Sequence, residues 1–273
     1  MKRIVNVICA FDLIFLLLLV LSSFIVNDII SDIVYYLAFI IPILIGAYYL
    51  KREKPFTENA DTVYLSFDKG SFGYFMPIAF PAIAMIISIS YITSFVMGAF
   101  GIESNAEISV SLPEALLVYA LVPAVLEEAL FRFIPLKLLL PYSKKWAIIL
   151  SALFFSVIHI DLFQLPYAFA AGVIFALIDM KCQSVFPSMI IHVINNTAAV
   201  IIMTSGSDTV AIAIYATVGA LALISAVFIA MRRNVYRDIT KPLFEKEEKV
   251  EIGTAPVILT ALCVFIAASV FMI

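Results

Sequence analysis

The sequence predicts an all-α fold: a polytopic bundle of about eight to nine transmembrane helices with a cytoplasmic N-terminus. Three observations predict it. Of the 273 residues, 64% are hydrophobic and only 14% charged, where a soluble domain averages nearer half and a quarter. The apolar residues fall in runs long enough, or nearly so, to cross a bilayer. The basic residues collect on one side of those runs.

In order, the runs fall at 4–26, 33–50, 72–100, 113–139, 146–160, 166–180, 185–203, 209–231 and 255–273. Lys2-Arg3 before the first run resembles a signal peptide in outline. No small-x-small cleavage site follows, so the run reads as a retained first helix. Pro77 and Pro81 are expected to kink the third run and Pro123 the fourth. The short runs 146–160 and 166–180 are candidates for tilted, broken or re-entrant segments. Gly172 and Ala171 suit close helix packing.

Let the runs alternate from a cytoplasmic N-terminus. The inner segments then hold every lysine and arginine of the 17 except Arg132. The outer segments hold only acids: Asp28, Asp32, Glu103, Glu107, Asp161 and Asp208. This is the positive-inside pattern. Polar stretches at about 51–71 and 232–254 read as cytoplasmic loops, the second able to form a short amphipathic helix. Asp12 is expected near a polar helix end or paired with another helix, and Asp179 at the inner end of the sixth run. A division into 1–110, 111–203 and 204–273 separates leading helices, a polar-bearing core and trailing helices.

The net charge of −3, with no basic run interleaved with aromatics, excludes a nucleic-acid reading. Cys9, Cys182 and Cys263 show no paired spacing and read as free thiols. There is no Walker A, Rossmann, G-x-S-x-G or H-E-x-x-H motif.

The informative residues are polar ones at membrane depth. In "EEALFR" (127–132), Glu128 and Arg132 are four apart, share a helical face, and can neutralise each other. Glu127 is turned by about 100° from that face. It has no local partner at a depth where an ionised carboxylate is costly, which makes it a candidate general base. Both histidines of the chain are also in apolar runs: His159 in "FFSVIHI", four after Phe155, and His192 in "SMIIHVINN". Asn196 follows His192 by four and Asn195 by three, so either amide could serve beside it as an oxyanion donor. At ~1.5 Å per residue, Glu128, His192 and His159 lie roughly 14–21 Å from their nearest inner lysines. Groups on three helices can therefore meet at one level.

Glu-Glu-x-x-x-Arg, Phe-x-x-x-His and His-x-x-x-Asn, in that order on successive helices, resemble the CPBP family. That family includes CAAX prenyl endopeptidases and bacteriocin-processing or bacteriocin-immunity (Abi) proteins, and the resemblance covers about residues 113–203. It implies an intramembrane endopeptidase in a cell membrane, acting on a membrane-associated peptide or protein. Carried over by position, Glu127 activates water, His159 and His192 assist, Asn196 holds the oxyanion, and Glu128 and Arg132 support the site. Two mechanisms fit these residue types: no cofactor, or zinc held by His159, His192 and Glu127. Two other functions remain open: a non-enzymatic immunity or scaffold protein on the same fold, and a proton-coupled transporter. The transporter would need a counterpart polar site in 1–110, and none is present.

Overall fold

The computed structural model describes residues 1–53, 62–66, 69–101, 110–247 and 249–270. Every run named above is occupied by helix, and no strand occurs among the described residues. The helices are α1 (Lys2–Ser23), α2 (Asp28–Glu53), α3 (Lys69–Ala99), α4 (residues 112–139), α5 (Lys144–Val157), α6 (Gln164–Cys182), α7 (Phe186–Ser205), α8 (Asp208–Met231) and α9 (Ala255–Val270). Lys54, Glu103 and Glu107 of the charge pattern lie outside the described residues.

Among the described residues, six helices are long and apolar enough to cross a membrane: α1, α2, α3, α6, α7 and α8. The other predicted spans differ for separate reasons. Helix α5 is only 14 residues long, and α9 is described over 16 residues, Ala255–Val270. Helix α4 is broken by two π-helical turns, Leu116–Leu121 and Glu128–Phe133. Each π turn directly precedes a segment with proline in its first turn, Pro123 and Pro135. Proline removes a backbone donor and its ring clashes with the preceding turn, and a widened turn makes room for it. Pro77 and Pro81 sit inside α3, which runs on through both.

The outward faces of α1, α2, α3, α8 and α9 carry exposed large apolar residues, among them Leu17, Leu44, Phe95, Leu223 and Phe265. Such faces suit lipid. The inner helices α4 to α7 hold the buried polar residues Glu128, Arg132, Ser151, Asp179, Ser188 and His192. Helices α5 and α6 pack closely. A Cβ added at Gly172 would lie 2.7 Å from the backbone Cα of Ala152, so glycine there sets the spacing between them. Gly172→Ala must push α5 from α6, at a cost of roughly 1–3 kcal/mol. A lower thermal unfolding midpoint in detergent checks this.

The chain between the spans is partly tied down. The segment 62–66 pairs with the α6–α7 turn: Tyr64 N–H donates to Gln183 O at 3.0 Å, and Val185 N–H to Tyr64 O at 3.2 Å. Residues 232–254 form two short helical turns, Arg233–Tyr236 and Lys241–Phe244. Glu247 then caps α5, accepting from Lys144 N–H at 2.8 Å. All three cysteines are free thiols.

One sequence expectation is corrected: Asp12 is not at a polar helix end but buried midway along α1, where its Oδ2 meets no hydrogen-bond donor. Asp179 is in the last turn of α6, as expected, and is fully buried there.

Candidate active site

Helices α4, α5, α6 and α7 converge on one cluster of ionisable groups. Helix α4 supplies Glu127, Glu128 and Arg132, with the carboxylates on adjacent positions where the second π turn begins. The expected pair forms: Arg132 Nε donates to Glu128 Oε2 at 3.1 Å, with both side chains fully buried. Its charge is spread further. Arg132 Nη1 donates to Ser151 Oγ at 2.9 Å, and Ser151 donates on to Phe131 O at 2.8 Å. The guanidinium lies 5.3 Å from the Phe155 ring centre and 5.9 Å from that of Phe175. Removal from water is thus offset by hydrogen bonds and two aromatic faces.

The second oxygen of Glu128, Oε1, lies 3.0 Å from His192 Nδ1. Glu128 is therefore shared between Arg132 and His192, and is more than one half of a structural pair. As an ionised partner of Arg132 it can only accept, so His192 Nδ1 carries a proton.

His159 lies in the turn just after α5. Its Nδ1 is 2.8 Å from Phe155 O. A carbonyl only accepts, so this Nδ1 is protonated too. The next residue, Ile160, has φ +49°. A β-branched residue in the left-handed region is a genuine outlier, costing about 1–3 kcal/mol. The chain turns sharply there and Asp161 closes the turn, accepting from Phe163 N–H at 2.8 Å. Phe155 packs edge-on against both imidazoles, at 5.1 and 5.6 Å between centres.

Both free Nε2 atoms face Glu127. Its Oε2 is 3.8 Å from His192 Nε2 and 4.0 Å from His159 Nε2. Neither separation is a direct hydrogen bond. Glu127, His159 and His192 keep 13%, 17% and 8% side-chain exposure, against none for Glu128 and Arg132. The cluster therefore has a sealed supporting half and a half with residual access.

The structure brings Glu127, Glu128, Arg132, His159 and His192 together. Asn196 is half-buried one turn from His192, and its Oδ1 accepts from Asn195 Nδ2 at 3.3 Å. Both asparagines are thus engaged, with each other.

Residues 109–198 are Rce1-like. They match the family model described as type II CAAX prenyl endopeptidase Rce1-like, over about a third of the chain. The Rce1-like segment spans α4 to most of α7 and contains all of the residues above. No curated protein and no solved structure matches the chain. The match supports a membrane endopeptidase in general, and with the six apolar helices it marks an integral membrane protein. The resemblance drawn from the three sequence motifs and this match agree.

Of two further buried groups in the Rce1-like segment, Ser151 escaped the sequence reading and Asp179 was read without its partner. Ser151 looks like any small residue in an apolar helix. Its spacing gives one signal: it precedes Phe155 by four and His159 by eight, which puts it on their face. Asp179 Oδ1 accepts from Ser188 N–H at 3.1 Å and so caps α7. Ser151→Ala leaves Arg132 Nη1 buried without an acceptor, at a cost of about 1–3 kcal/mol. A lower unfolding midpoint is the expected reading.

Proposed function

We propose that the chain is an intramembrane endopeptidase in which Glu127 activates a water molecule, with His159, His192 and Asn196 in support. One observation carries this reading. Of the two adjacent carboxylates, Glu128 is spent on Arg132 and His192, while Glu127 faces two imidazole nitrogens whose Nδ1 partners fix their orientation.

The chemistry follows from that division. Gaps of 3.8 and 4.0 Å suit one water placed among Glu127 and the Nε2 atoms, donating one hydrogen to Glu127 and the other to a single Nε2. Glu127 takes a proton from that water as its oxygen attacks the carbonyl carbon of the scissile bond. One Nε2 accepts the water's other hydrogen and takes that proton as the adduct collapses, later losing it to solvent, while Glu127 passes the proton it took to the leaving amine nitrogen. The Asn195 bond to Asn196 Oδ1 leaves the Asn196 amide hydrogens to donate to the oxyanion. The tetrahedral adduct then collapses to a carboxylate and an amine.

The donor set bears on zinc. Two histidines and a glutamate are zinc ligand types, and each imidazole has the outer partner that ligand histidines use. The separations do not match: ligands of one tetrahedral zinc sit about 3.4 Å apart, nearer than those here. Among the described residues, no three His, Cys, Asp or Glu side chains are arranged to hold a metal ion. A zinc taking Glu127 as ligand would also leave only Glu128 as base, and that group is already engaged. The residues as placed do not fit zinc, and water activation by Glu127 needs none.

The substrate on this reading is a membrane-associated peptide or protein, and the setting a plasma membrane. With the N-terminus inside, the α6–α7 turn faces the cytoplasm with Lys181. Elemental mass spectrometry on purified protein, with and without chelator, tests the mechanism. Expected is full activity after chelation and no stoichiometric metal. About one zinc per chain, lost in the His159→Ala/His192→Ala variant together with activity, would replace this mechanism by a metal-assisted one.

A further inference from the structure

Beneath the proposed catalytic groups lies a second polar layer, one helical turn nearer the α6–α7 turn. Arg132 is one turn past Glu128 on α4, Ser188 one turn before His192 on α7, and Asp179 one turn past Phe175 on α6. Glu128 touches His192, and the Phe175 ring is 5.8 Å from the His192 ring. The three displaced residues therefore share the next level. Two contacts agree: Asp179 binds Ser188, and Arg132 lies over Phe175.

This layer contains a complementary pair of loose ends. Arg132 uses Nε and Nη1, but Nη2 is buried with no acceptor. Asp179 uses Oδ1, but Oδ2 is buried with no donor. Both residues are fully buried. A buried donor and a buried acceptor left unsatisfied are each costly, and a bridging water removes both penalties at once.

We propose that Asp179 is the second carboxylate of Arg132, joined to its Nη2 through one ordered water, and a positioning residue for His192. Its two oxygens divide the task. Oδ1 fixes the first turn of α7, the helix that carries His192. Oδ2 holds the guanidinium whose other end holds Glu128, which in turn holds the His192 ring. Asp179 thus reaches His192 by two routes, through α7 and through Arg132. It touches no reacting atom. The inference rests on the protease reading only for its effect on rate.

The chain has two histidines, so 15N-histidine labelling resolves both rings and needs no substrate. Asp179→Asn keeps an acceptor for Ser188 N–H and removes the charge; Asp179→Ala removes both. Expected are shifted His192 ring signals in each variant, with those of His159 in place. The infrared difference between wild type and Asp179→Asn should show the loss of an ionised carboxylate band. With any peptide that the wild type cleaves, kcat should fall by about tenfold at unchanged KM, as for other residues that act through a first partner. Unchanged His192 signals in Asp179→Asn, or loss of a protonated carboxyl band, would overturn the proposal. Either spectroscopic result stands if the wild type cleaves nothing, so failure of the protease reading is seen separately. Should Asp179→Ala not fold, Asp179→Asn decides alone.

Discussion

Arg132→Ala is expected to cost roughly 3–5 kcal/mol of stability, the usual penalty for removing one partner of a buried ion pair. The residue is fully buried and serves four partners at once: Glu128 Oε2, Ser151 Oγ and the faces of Phe155 and Phe175. Truncation leaves Glu128 ionised at depth with His192 as its remaining partner. It also leaves a hole between two aromatic rings. Folded yield and the thermal midpoint in detergent should both fall. The Arg132→Met/Glu128→Gln double variant should recover part of the loss, because it removes both charges and refills the space. A normal midpoint in Arg132→Ala would show that the pair does not hold the bundle.

Glu127→Gln should have the opposite profile: normal stability and lost cleavage. The substitution keeps shape and volume at a site with residual exposure. Glu127 has no direct hydrogen bond to either imidazole, at 3.8 and 4.0 Å, so little structure depends on it. What disappears is a base, and an amide cannot take a proton from water. A loss on the order of 10²–10⁴-fold is the usual scale of general-base catalysis. Cleavage rate and unfolding midpoint measured on one preparation separate the two profiles. Together the variants test the division of labour between adjacent carboxylates, one supporting and one reacting.

That division was legible in the sequence because helical geometry dictates it. A spacing of four puts Glu128 under Arg132, and a step of one turns Glu127 away. Among the described residues each apolar run is occupied by helix, because lipid leaves a chain few other ways to satisfy its backbone. The common depth of Glu128, His159 and His192 followed from counting residues to the nearest lysine. Three features were not legible. The π turns of α4 depend on how Pro123 and Pro135 are accommodated, which hydropathy does not encode. The sharing of Glu128 between Arg132 and His192 is a contact between distant segments, 64 positions apart. Asp179 was placed at the inner end of its run, which it occupies, but its burial was not foreseen. Only the packing of α6 against α7 shows that it points inward to cap Ser188.

The most direct test of the central claim, that Glu127 drives peptide-bond hydrolysis, is mass-spectrometric mapping of new peptide termini in cell membranes. The comparison is between cells producing the wild type and cells producing Glu127→Gln at equal folded level. The account predicts a defined set of termini from membrane-associated proteins that appears with the wild type and is absent with the variant. The same termini at the same abundance in both would contradict it.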